Sequence, residues 1–306
     1  MISPLPCGIA GFAGLLMVGL AACQQAEPAL ARGDRFWADS NYTDALAEYR
    51  LALRQHPDEE TKARTAHAYI QTGQFELARE IYADLIQESP KWTDQAIFDY
   101  VAVANKARDR SDRYGLASAV AAAQELRAGL PLDDFAIPLA RYYSSTGDPA
   151  LALDFYERAL TAAPPDTVPT LLFEMAQIHE QLGNCPEAIG FFRAFRSRAP
   201  RDERIGDADW QIGDCSFTLA RRAHQDGNLE RAMEYVDAVL DLGVPKNLLD
   251  EAWFERGEIL LEKGQREEAL LAYRMVVQLN PTGTGQMVER ARRRIDDLRF
   301  GRVPGR

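Results

Sequence analysis

The sequence predicts an all-α chain of stacked helical hairpins. Two observations lead there: one spacing of small, aromatic, Gly and Pro residues recurs five times, and apolar residues between those marks return at helical rather than strand intervals. The register is clearest at the end. There Trp253, Gly257, Leu260, Gly264, Ala269, Tyr273, Val276 and Pro281 follow one another within a single unit. The first unit carries Gly33, Phe36, Ala45, Tyr49, Ala52 and Pro57, and the second Ala66, Tyr69, Gly73, Ala78, Tyr82, Leu85 and Pro90. Two more read Ala140, Tyr143, Gly147, Ala152, Tyr156, Ala159, Pro164 and Ala176, His179, Gly183, Ala188, Phe192, Phe195, Pro200.

Each position has a physical reason. The small residue of the first helix and the Ala of the second let two backbones approach closely. The aromatic fills the gap to the next unit. Gly73, Gly147, Gly183 and Gly264 can adopt the left-handed conformation that ends the first helix, and the Pro stops the second. This pattern resembles the tetratricopeptide repeat. The resemblance implies a right-handed α-solenoid of about seven tetratricopeptide-like hairpins with a C-terminal capping helix. Two stretches fit it less closely. Between Lys91 and Pro131 the helical pattern persists through Phe98, Tyr100, Val101, Leu116, Val120 and Leu126. Between Arg201 and Pro245 a long first helix, about 206–225, precedes Gly227, Ala232 and Val236. Both read as divergent units. Met287, Ala291, Ile295 and Leu298 form one side of the cap, whose other face is Arg-rich.

The first 22 residues hold no charged side chain, and Ile9–Leu20 has the length of a secretory apolar core. The segment ends in Leu20-Ala21-Ala22-Cys23, which resembles a bacterial lipobox; the resemblance implies cleavage before Cys23 and a lipid on its sulfur. An uncleaved membrane helix is the alternative, and the lack of a basic residue before Arg32 departs from the usual signal-peptide pattern. The expected organisation is a signal peptide at 1–22, a lipidated tether at 23–28, the solenoid at 29–299 with its cap at 285–299, and a flexible tail at 300–306. Gln24 rather than Asp after the cysteine favours the outer membrane, facing the periplasm. Cys185 and Cys215 remain in the mature chain. Counting outward from a reversal near residues 200–203, Cys215 falls opposite Ala188, one turn from Cys185. A disulfide is therefore geometrically open to them, with two buried thiols as the alternative.

Composition limits the function. The net charge of -11 argues against a nucleic-acid partner, which needs a basic face. His179-Glu180 lacks the second histidine of a zinc-protease motif, since position 183 is Gly183. Gly283 and Gly285 are not followed by the Lys-Ser/Thr of a phosphate loop, and no Gly-x-Ser-x-Gly elbow is present. The chain is thus expected to have no catalytic residue, metal or cofactor, and to bind protein or peptide partners. Lipid or glycan handling, and an enzyme with a small site on the repeats, are the other classes considered. In the resembled family the inner face comes from the first helix of each hairpin. That geometry implies a groove of Trp37, His67, Arg141, Phe173, Gln177, Phe217, Arg221, Phe254 and Glu258. Some of its aromatics could instead pack between units. The Lys, Asn and Arg set that clamps acidic C-termini in chaperone-binding members is not seen. The chain is similar in broad class to envelope-assembly tetratricopeptide lipoproteins.

Overall fold

The computed structural model describes residues 27–280 and 283–301. The expected signal peptide, Cys23, Pro281 and residues 302–306 lie outside the described residues. Those described form fifteen α-helices and no strand. They divide into two compact units, one running to Asp99 and one starting at Tyr100.

The first unit holds two hairpins, α1 (Ala29–Ala38) with α2 (Tyr42–Gln55) and α3 (Glu59–Gln71) with α4 (Phe75–Glu88). A 3-10 turn, Pro90–Trp92, then leads into α5 (Thr93–Asp109), within which the division of the chain falls. In the second unit, α6 (Arg113–Leu126) is followed by four hairpins. They are α7 (Ala136–Thr146) with α8 (Pro149–Ala162), α9 (Val168–Gln181) with α10 (Cys185–Arg198), α11 (Ile205–Gln225) with α12 (Leu229–Leu242), and α13 (Leu249–Glu262) with α14 (Arg266–Leu279). The closing helix is α15 (Gln286–Phe300). Counting α5 with α6, there are seven hairpins and a cap.

The turns follow the residues that end the helices. Gly73, Gly147, Gly183, Gly227 and Gly264 all have φ between 73° and 84°, a conformation that costs other residues about 1–2 kcal/mol. Ser40 and Ser111, each with φ of 58°, occupy the corresponding place in the two hairpins that lack this glycine. Asn41, Asp112, Asp148 and Asn228 then cap the second helices, each accepting a hydrogen bond from the backbone N–H three residues on.

The cores are the expected small and aromatic positions. Ala45, Ala78, Ala152, Ala188 and Ala269 are all fully buried. Tyr82, Tyr156, Phe192 and Tyr273 are at most 2% exposed. Gly33 and Gly257 show why a small residue is required. A Cβ there would lie 2.5 Å from the ring of Tyr49 and of Tyr273, respectively. The α5 stripe is shifted from the expected one. Ile97 and Tyr100 are buried, whereas Phe98 is 66% exposed, because Asp99 takes the inward position beside it.

Cys185 and Cys215 form a disulfide between α10 and α11, with Cα atoms 5.1 Å apart. Both sit in a core shared with Phe173, Phe192, Phe195 and Ile212. At the C-terminus Ala291 and Ile295 of α15 close the core of Phe254 and Tyr273, with Met287 and Leu298 packed at its edge. One cap arginine, Arg294, donates two hydrogen bonds to Glu258.

Candidate partner-binding site

The residue after each small position of a first helix defines one row: Asp34, His67, Arg141, Gln177, Arg221 and Glu258. Much of this row is engaged within the protein. Asp34 pairs with Arg64 and accepts a hydrogen bond from the Tyr49 hydroxyl. His67 Nδ1 donates to both Asp99 carboxylate oxygens at 2.8 Å. Arg141 donates to Glu174 at 3.2 Å. Glu258 takes Arg294 and, at 2.6 Å, the Tyr273 hydroxyl. Burial, reinforced by the Glu258 hydrogen bond, pushes the Tyr273 phenol far above its usual range. The pairs Asp34–Arg64, His67–Asp99, Arg141–Glu174 and Glu258–Arg294 link the first helix of one hairpin to that of the next or to the cap, and the two tyrosine hydroxyls tie the helices within a hairpin. Gln177 and Arg221 are exposed, and among the described residues no hydrogen bond or ion pair engages their side chains.

The three phenylalanines expected in a groove belong to the core instead. Phe173 is 7% exposed and packs edge-on against Phe192 and Phe195 under the Arg204 guanidinium. Phe217 is buried with Val239 and Ala252. Phe254 is buried against Tyr273 beneath Arg290. Their recurrence marks the dry side of each first helix, where burial of an aromatic contributes more than exposure could.

Trp37 and His67 have a different setting. They line a cavity of about 410 Å3 in the first unit, together with Asp34, Tyr49, Glu60, Ala63, Arg64, Trp92 and Gln95. α1 supplies Asp34 and Trp37, α3 supplies Glu60, Arg64 and His67, and the 3-10 turn with the start of α5 supplies Trp92 and Gln95. The Trp37 and His67 rings are 4.9 Å apart, and Trp37 also meets Tyr42 edge-on at 4.8 Å.

Asp99, fully buried behind the cavity, is its keystone. It accepts from His67, from the Tyr82 hydroxyl and from Gln95 Nε2 at 3.2 Å. Three donors make this buried carboxylate tolerable and orient the imidazole with Nδ1 toward it. Sequence reasoning missed Asp99, Arg64 and Trp92. A carboxylate between Phe98 and Tyr100 in an apolar helix was the available signal for Asp99; Trp92, just past the stop at Pro90, gave none. Among the described residues no cluster of three His, Cys, Asp or Glu side chains is arranged to hold a metal.

The fold is thus that of a helical-hairpin repeat protein whose first-helix row is mostly braced and whose first unit keeps an aromatic cavity. Tetratricopeptide-repeat models match residues 30–91, 137–203 and 250–282, together more than half of the chain. The chain belongs to the tetratricopeptide repeat family, whose hairpins serve as protein-interaction scaffolds. Protein O-mannosyl-transferase TMTC1 of Homo sapiens is 23% identical over 171 residues, which cover 47% of this chain; the chain spans 19% of that relative's length. A tetratricopeptide repeat protein of Bacteroides fragilis, 12% identical, superposes with a TM-score of 0.42 over 67% of this chain and 98% of its own. The C-terminal part of one from Cytophaga hutchinsonii, 16% identical, gives 0.37 over 86% and 98%.

Proposed function

We propose that the protein is a lipid-anchored periplasmic scaffold that binds protein or peptide partners in assembly of a bacterial cell envelope and catalyses no reaction. The observation that carries this is the order of segments. A Leu20-Ala21-Ala22-Cys23 lipobox stands directly ahead of helical hairpins that take up the chain from Ala29 to Phe300. Acyl chains on Cys23 would each contribute about 0.8 kcal/mol per buried methylene, so two or three of them hold the array at a membrane surface. The cavity of the first unit follows closely after the tether and supplies an aromatic anchor point of the kind interfaces use.

The test is metabolic labelling with an alkyne analogue of palmitate, followed by membrane fractionation, of the full chain and Cys23→Ser. The expected result is a labelled, membrane-bound protein and an unlabelled variant released from the membrane. An unlabelled wild-type chain, or label that survives Cys23→Ser, overturns the anchor.

A further inference from the structure

We propose that the cavity of the first unit receives a basic side chain, lysine or arginine, projecting from an extended segment of the partner. The inference rests on the scaffold function above and names the chemistry the scaffold selects.

The lining has more negative charge than positive. Asp34 and Glu60 face a single lining guanidinium, Arg64, which pairs with both. The buried Asp99 carboxylate, held by three donors, lies directly behind His67.

Donors are scarce by comparison. Tyr49 spends its hydroxyl on Asp34, Trp92 its indole N–H on Glu59 at 3.1 Å, and Gln95 its amide on Asp99. Among the described residues the Trp37 indole N–H has no partner, and a neutral donor of that kind suits a backbone carbonyl beside the incoming side chain. An acidic group entering here would meet like charges and almost no donors. A cation would meet carboxylates and the π-faces of an indole, an attraction of about 0.5–2 kcal/mol. The protein already uses this arrangement at the rim. Lys91 Nζ lies 5.6 Å from the centre of the Trp92 ring and 2.6 Å from Glu59.

The test uses the full chain in mild detergent and four capped pentapeptides, Ala-Ala-X-Ala-Ala, with X as arginine, lysine, citrulline or glutamate. Binding is read from the indole N–H NMR signals of Trp37 and Trp92, assigned with Trp→Phe variants. The arginine and lysine peptides are expected to shift the Trp37 signal saturably, and neutral citrulline to bind about tenfold more weakly. The glutamate peptide should leave the signal unmoved. Glu60→Gln, an exposed position whose loss leaves Arg64 paired with Asp34, should weaken the arginine peptide several-fold with an unchanged melting temperature. Citrulline binding as well as arginine, a glutamate peptide that shifts Trp37 equally, or no response to any peptide would overturn the proposal. The palmitate experiment reads the anchor independently: labelled protein with unresponsive tryptophans removes this cavity chemistry alone, and responsive tryptophans in unlabelled protein remove the anchor alone.

Discussion

Single residues set the spacing of the stack, as Gly257 does where it meets the ring of Tyr273. Alanine in a helix is intrinsically preferred over glycine by about 1 kcal/mol. A Cβ 2.5 Å from the fully buried ring reverses that preference. Gly257→Ala should therefore lower stability by about 1–3 kcal/mol, measured by urea denaturation; a stabilised variant would show that the helices separate freely. The opposite change is expected at the two turns where serine holds a left-handed φ. Ser40→Gly and Ser111→Gly should each add about 0.5–1 kcal/mol, because relief of backbone strain exceeds the entropy lost by glycine. His224 carries the pH dependence. Its Nδ1 lies 2.6 Å from Glu255 and its Nε2 3.3 Å from Glu262. Burial disfavours its charge, but these carboxylates outweigh burial and raise its pKa above the ordinary value. A raised folded pKa means the stabilisation is complete below the unfolded value, about 6.5, and is lost as pH rises through the folded one. The melting temperature of wild type should thus exceed that of His224→Gln more at pH 6 than at pH 8.5. A gap that widens with pH would contradict the pairing.

At the scale of the helix, what was legible in the sequence was whatever repeats. The Gly, Ala, aromatic and Pro marks recur because each hairpin solves the same packing problem, so their period locates helices α1 to α4, α7 to α10, and α13 with α14 in order. Side-chain direction was less legible. Phe173, Phe217 and Phe254 share a register, but the sequence does not say which side of that register is dry, and all three turned out to be core. Asp99 escaped notice for a related reason. Its three donors come from α3, α4 and α5, and no local spacing brings Tyr82, Gln95 and His67 together. The α10–α11 disulfide lay between these cases, since the antiparallel reversal narrowed the register without fixing it. Closing a loop of this size contributes about 3.5 kcal/mol in the chain-entropy model. Reduction should therefore lower the melting temperature of the second unit by several degrees, and labelling of Cys185 and Cys215 in unreduced protein would contradict the bond.

At the scale of the whole molecule, hairpins that cannot bury their own apolar faces depend on neighbours, and the polar row along the first helices ties those neighbours together. That division of labour leaves few first-helix residues for a ligand, and it is the reason we propose the cavity around Trp37 and His67 as the place of recognition. The net charge of -11 is consistent with a partner that carries basic segments, since complementary charge speeds encounter and rejects acidic competitors. Site-specific photo-crosslinking in cells tests partner binding at this cavity most directly. A photoreactive residue at Gln95, on the cavity wall, is compared with one at Leu271, which is 59% exposed on α14. The expected result is a discrete adduct from position 95 that Trp37→Ala diminishes, and none from position 271. Equal adducts from both positions, indifferent to Trp37→Ala, would contradict it.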